Sequence, residues 1–113
     1  MSTASTPPRI WISNLKPKAG EVLRVRTQIS HHMETGLRLD EKGNIRPRRI
    51  ITRFEARFGP ENALIMAWEP GSAMARNPYL EFTFIARHSG ELRLHWTGDD
   101  DFSLQASRSI EVQ

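Results

Sequence analysis

The chain has 113 residues, no cysteine, a hydrophobic fraction of 38% and a formal net charge of +3. That length suits one domain with one core, and the composition excludes wholesale disorder. The missing cysteines exclude disulfides, thiolate zinc sites and a cysteine nucleophile on this chain, and the scattered basic residues give no stripe for nucleic acid.

Residues 1–8 are rich in Ser, Thr and Pro and read as a flexible N-terminal tail; residues 9–113 read as a single domain. The opening MSTASTPPRIWISNL has neither a basic leader nor an apolar stretch, so it is not a secretory signal. No apolar run approaches the roughly 20 residues that a membrane-spanning helix needs, and no membrane insertion is expected.

Arg9 to Leu15 reads as a first short strand, and Lys16-Pro17-Lys18-Ala19-Gly20 as a turn. Trp11 shares a side with Arg9 and Ser13, so it is expected at the surface, packing at an edge or meeting a partner. Val22 to Ser30 alternates, with Leu23, Val25, Thr27 and Ile29 on one face. Period-two alternation means a strand with one wet side.

Between Ile29 and Ile51 lies a long polar connection, ISHHMETGLRLDEKGNIRPRRII. Connections of this length are uncommon in compact domains and are usually functional or disordered. Its mixture of His31, His32, Met33, Glu34, Arg38, Asp40, Arg48 and Arg49 with Gly36, Gly43 and Pro47 predicts an ordered loop that presents a surface.

Alternation resumes over Ile50 to Phe58, placing Ile50, Thr52, Phe54, Ala56 and Phe58 inward and Arg53, Glu55 and Arg57 outward. Gly59-Pro60-Glu61-Asn62 breaks the run. Ala63 to Glu69 follows, with Leu64, Met66 and Trp68 on its apolar side. PGSAMARNP is a second long connection, ending in the Asn77-Pro78 pair. Tyr79 to Arg87 turns Leu80, Phe82, Phe84 and Ala86 inward, and Glu91 to Thr97 does the same with Leu92, Leu94 and Trp96. Phe102 to Val112 closes the chain, with Arg108 interrupting its apolar row. About seven strands, no convincing helix and closely spaced turns predict an all-β fold. The expected architecture is an immunoglobulin-like antiparallel β-sandwich.

No catalytic chemistry emerges. The four histidines show no ligand spacing: His31 and His32 are adjacent, His88 lies in a turn and His95 on an outward face. Asp99-Asp100-Asp101 lacks the alternating oxygen ligands of a calcium loop. There is no nucleophile elbow, phosphate loop or dinucleotide fingerprint. The residues therefore predict no enzyme, no cofactor and no metal. A partner-binding or scaffold role is expected; a small histidine-based metal protein is the other reading.

The run Ser30-His31-His32-Met33-Glu34-Thr35-Gly36, then Arg38, Asp40, Pro47-Arg48 and Ile50-Ile51, resembles the Z-subunit family of the sulfur-oxidation (Sox) carrier complex. The likeness continues in Ala75-Arg76-Asn77-Pro78-Tyr79-Leu80, Ser89-Gly90, Leu92, Trp96-Thr97 and Asp99. Departures fall in loops. His32 replaces a common proline, Arg76 a common small residue, and Asp101 a common glycine; the turn around Gly59-Pro60 looks longer than usual.

The resemblance implies a sandwich paired with a Y subunit, whose cysteine on a C-terminal arm carries sulfur intermediates during thiosulfate oxidation. It implies a periplasmic heterodimer, exported on its partner's signal, that docks transiently to other Sox enzymes. The expected docking residues are His31, Met33, Glu34, Thr35, Gly36, Arg38 and Arg48, with Asn77 and Tyr79 nearby. An internal ion-pair network among Glu34, Arg38, Asp40 and Arg48 is the alternative role for those charges.

Overall fold

The computed structural model describes residues 7–29, 41–44, 50–69, 79–99 and 101–113. They contain seven strands: β1 (Arg9–Ile12), β2 (Val22–Gln28), β3 (Ile51–Phe58), β4 (Ala63–Trp68), β5 (Tyr79–Ile85), β6 (Gly90–Gly98) and β7 (Ser103–Ile110). Two antiparallel sheets result, a three-stranded one ordered β1-β2-β5 and a four-stranded one ordered β4-β3-β6-β7.

The inward rows of both sheets meet in one core. Leu23 and Val25 of β2 and Phe82 and Phe84 of β5 face Phe54, Ala56 and Phe58 of β3 and Leu92, Leu94 and Trp96 of β6. Phe54 is the centre, with its ring 6.0 Å from Phe82 across the sandwich and 5.1 Å from Trp96 within its own sheet. Phe58 and Phe84 make a second inter-sheet pair at 5.4 Å. Both contacts are tilted, an arrangement that aromatic quadrupoles favour. Among the described residues Thr27 is the buried polar exception, and its hydroxyl donates to the Leu80 carbonyl at 3.4 Å.

The alternation over β2, β5 and β6 places side chains as expected. Two irregularities change the faces elsewhere. In β3 the register with β6 slips between Ile51 and Arg53. Thr52 is the extra residue, so Ile51 turns inward beside Ile50, and the expected row through Thr52 is broken. In β4 the register with β3 slips between Ala56 and Arg57, and Ile65 is the extra residue. One inserted residue reverses a period-two pattern. Leu64, expected inside, therefore stands beside Arg57 on the outer face, 47% exposed.

Turns are fastened by named groups. Asn14 Nδ2 donates to Glu21 Oε2, Asn14 Oδ1 accepts from the Lys16 amide, and Glu21 Oε1 accepts from the Lys18 amide. The chain end returns to this turn. The Glu111 amide donates to the Leu15 carbonyl at 2.9 Å and that of Gln113 to the Pro17 carbonyl at 2.8 Å, tying β7 to the β1 side of the sandwich. Asp101 holds φ at 56°, a conformation that glycine adopts freely and other residues seldom do.

Gly98 sits where β6 crosses the β3 irregularity. A Cβ there would lie 2.5 Å from the Ile50 carbonyl oxygen and 3.1 Å from the Ile51 Cα. Backbone cannot yield as a side chain can. Gly98→Ala is expected to destabilise the fold by about 1–3 kcal/mol, the usual cost of overpacking. Thermal unfolding followed by circular dichroism checks this; an unchanged midpoint would contradict it.

Candidate protein-interaction face

The two outer sheet surfaces differ in kind. On the four-stranded sheet, Arg53, Glu55 and Arg57 of β3 lie beside Arg93 and His95 of β6. Glu55 accepts from Arg53 Nε at 2.6 Å and from Arg57 at 3.2 Å. Arg53 also reaches Glu69 at 3.1 Å. Arg57 and Arg93 are opposite each other in register, a repulsive placement. Each is anchored elsewhere: Arg57 on the Asn62 carbonyl, Arg93 on Glu91, the Gly59 carbonyl and Asn62 Oδ1. A shallow hollow of about 470 Å³ opens among Glu55, Arg57, Arg93, His95, Gln105 and Ser107.

His95 Nε2 and Ser103 Oγ are 2.9 Å apart, and Glu55 stands opposite His95 in register. The row resembles a serine, histidine and carboxylate relay only in order. Both Glu55 oxygens are occupied by arginines, leaving its carboxylate committed to holding β3's own charges. Among the described residues no group of three or more His, Asp or Glu side chains is arranged to hold a metal ion.

The hydrogen bond from Arg53, reinforced by Arg57, holds the Glu55 carboxyl below its ordinary value of 4.5. A depressed carboxylate contributes stability that is present above the unfolded value and lost as pH falls through the folded one. Thermal stability of the wild-type chain is thus expected to fall as pH drops below about 4.5, more steeply than that of Glu55→Gln. Parallel melting curves across that range test it; identical pH slopes would contradict it.

The outer surface of the three-stranded sheet is less polar. Trp11, Val22, Tyr79 and Ile85 are all large, apolar and exposed there, at 47%, 58%, 53% and 43%. The pairing explains their gathering. Trp11 lies beside Arg26, Arg26 beside Glu81, Val22 beside Ile85, and Gln28 beside Tyr79. Isolated exposed apolar residues are ordinary, but several on one sheet face mark an interaction site.

Glu81 organises the charges between them. It receives Arg24 Nε and Arg26 Nε, each at 3.4 Å, and the Tyr79 hydroxyl at 3.2 Å. The Arg26 guanidinium lies 4.6 Å above the Trp11 ring. Exposed ion pairs stabilise a fold little, typically under about 1 kcal/mol each. Their effect here is to restrict the orientations of Trp11 and Tyr79. A hollow of about 170 Å³ lies among Arg9, Trp11, Arg26, Gln28 and Tyr79. Small-molecule sites usually need about 300 Å³ or more, so this one suits a single inserted side chain. Tryptophan, tyrosine and arginine together are the composition of binding hot spots.

Of the residues expected to dock a partner, Tyr79 falls on this face. His31, Met33, Glu34, Thr35, Gly36, Arg38, Arg48 and Asn77 lie outside the described residues. Trp11, held open between edge packing and partner contact, is exposed beneath Arg26. Arg24, Arg26 and Glu81 were not anticipated. The available signal was the outward row of β2 and β5, where Val22, Tyr79 and Ile85 replace the polar residues a wet face usually carries.

A family model described as sulphur oxidation protein SoxZ matches residues 12–109. No curated protein matches the sequence. Among solved structures, the superoxide reductase (neelaredoxin) from Ignicoccus hospitalis superposes with a TM-score of 0.71 at 19% identity, over 96% of this chain and 82% of that one. The sulfur carrier protein SoxY from Chlorobium limicola f thiosulfatophilum superposes with a TM-score of 0.65 at 13% identity, over 96% and 81%. A hypothetical protein from Pyrococcus horikoshii OT3 gives 0.64 at 17% identity, over 95% and 89%. At these identities the structural likenesses establish a shared sandwich and nothing about activity.

Proposed function

Because the chain belongs to the SoxZ family of sulphur oxidation proteins, we propose that it is the non-catalytic half of a sulfur carrier pair. Its partner is a Y-type subunit whose cysteine holds the sulfur intermediates of thiosulfate oxidation. This chain has no cysteine of its own and so has no thiol on which to carry them. Its task is to hold the Y subunit and to offer a docking surface to the enzymes that act on the cargo.

The observation that carries the reading is the Trp11, Arg26, Glu81 and Tyr79 cluster, flanked by Val22 and Ile85 on one sheet face. A permanent partner is recognised by burying such a face, since obligate interfaces are the more apolar kind. Transient docking to enzymes falls to the 30–49 connection, with His31, Met33, Glu34, Thr35, Gly36, Arg38 and Arg48, and to Asn77, two residues before Tyr79 in the sequence. The pair works in the periplasm, and this chain crosses the membrane already bound to a partner that bears the export signal.

Co-expression with the Y-type subunit of the same genome tests the proposal. A one-to-one complex that survives size exclusion at micromolar concentration is expected. Two separate monomers at that concentration would contradict it.

A further inference from the structure

The backbone of β5 points to a second element of recognition. In an antiparallel strand the N–H and C=O groups of alternate residues face opposite neighbours. The Arg24 amide donates to Ser13 Oγ and the Arg24 carbonyl accepts from the Ser13 amide, so Arg24 faces the β1 side. Its register neighbours Leu23 and Val25 therefore face β5, where their partners are Phe84 and Phe82. The Ala86 carbonyl accepts from the Gly20 amide, which agrees with that phase. It follows that Tyr79, Glu81, Thr83 and Ile85 aim their N–H and C=O groups away from β2. No described strand lies there, and among the described residues those groups have no hydrogen-bond partner.

Natural edges are guarded by shortness, bulges, lysine or proline. The other edge strands show such features. β1 has 4 residues, β4 carries the Ile65 irregularity, and the chain that continues β7 is tied to Leu15 and Pro17. β5 has 7 residues, YLEFTFI, paired with β2 in unbroken register, with no lysine or proline. It is a regular edge rich in β-favouring residues.

We propose that this edge accepts an edge strand of the Y-type partner, extending the β1-β2-β5 sheet across the complex. The inference rests on the functional reading above and adds where and how the partner binds. Two observations commit it to that occupant. The residues that open the edge also place Tyr79, Glu81 and Ile85 on the exposed aromatic face, so one partner covers both. The SoxY carrier has the same sandwich and therefore edge strands of its own to offer. A second copy of this chain fits poorly. Full antiparallel self-pairing of β5 would set Glu81 opposite Thr83 and diagonal to the second copy's Glu81, a like-charge approach.

The test uses the full chain and the Y-type subunit. Thr83→Pro removes one free-edge N–H that the fold itself does not use, at a position where edge strands tolerate proline. The variant is expected to keep the wild-type circular dichroism spectrum and to bind the partner at least tenfold more weakly. Hydrogen exchange on wild-type protein supplies a measurement that does not depend on the variant folding: the amides of Tyr79, Glu81, Thr83 and Ile85 should exchange at least tenfold more slowly in the complex. Full affinity of folded Thr83→Pro, or unchanged exchange at Tyr79, Glu81, Thr83 and Ile85 in a complex that does form, overturns the strand-addition inference and leaves the carrier-subunit reading standing. Concentration-dependent protection of the chain alone would assign the edge to a second copy and overturn it too. Absence of any complex with wild-type protein defeats the functional reading itself.

Discussion

Replacing Trp11 with alanine is expected to weaken binding of the Y-type partner by about thirtyfold without changing the fold. The indole is 47% exposed, lies on the edge strand β1, and is outside the central core. Its removal therefore costs the free chain little. In the complex it should act as an anchor, because the Arg26 guanidinium 4.6 Å away already restrains its ring. Aromatic anchors of this kind typically cost about 2 kcal/mol or more when truncated. With tenfold per 1.4 kcal/mol, that is roughly the thirtyfold stated. Titration calorimetry of wild-type and Trp11→Ala chains against the partner measures it. Tyr79→Ala should follow the same direction, whereas Gln105→Ala, on the outer surface of the opposite sheet, should bind as wild type. Equal affinity for Trp11→Ala and wild type would remove this face from the interface.

Replacing Phe54 with alanine acts on the other link, from packing to stability. Phe54 is 1% exposed and touches Phe82 of the facing sheet and Trp96 of its own. Its ring partners in both sheets, Phe82 and Trp96, are rigid aromatics that cannot bend into the space a truncation leaves. Loss of a buried phenylalanine costs about 3–5 kcal/mol. Against a total of about 5–15 kcal/mol for an ordinary domain, that approaches unfolding. The melting midpoint should fall by on the order of 15 °C, given the usual relation between stability and midpoint at this size. Chemical denaturation gives the free energy directly. A loss under about 1 kcal/mol would mean that the sheets do not meet at Phe54. The contrast between the substitutions is itself informative: Trp11→Ala changes affinity at constant stability, and Phe54→Ala changes stability first.

Much of the sandwich is legible in the sequence because its strands alternate with a clean period of two. Leu23, Val25 and Phe84 could be placed inside by counting alone, and the structure buries them. Leu64 and Ile51 could not. Each lies beside a one-residue irregularity whose position is set by the neighbouring strand. A residue inserted relative to a partner leaves no mark on the strand's own composition.

The candidate face divides in the same way. Trp11 was readable as exposed from its place beside Arg9 and Ser13. That Glu81 gathers Arg24, Arg26 and Tyr79 was not, because it depends on β5 pairing with β2, a long-range contact that alternation does not specify. The open edge of β5 is a property of strand order and of hydrogen-bond phase, and neither is written in a single strand. The loop signature from Ser30 to Arg49 is the reverse case. It carries the family resemblance, yet its docking residues lie outside the described residues and their roles rest on the proposed function.

The most direct test of the carrier-subunit account is intact mass of the co-purified pair after exposure to thiosulfate and the oxidising Sox enzymes. The account predicts one copy of each chain, with every sulfur addition on the Y-type subunit and this chain at its unmodified mass. A sulfur adduct or a stoichiometric metal on this chain, or recovery of this chain alone, would contradict it.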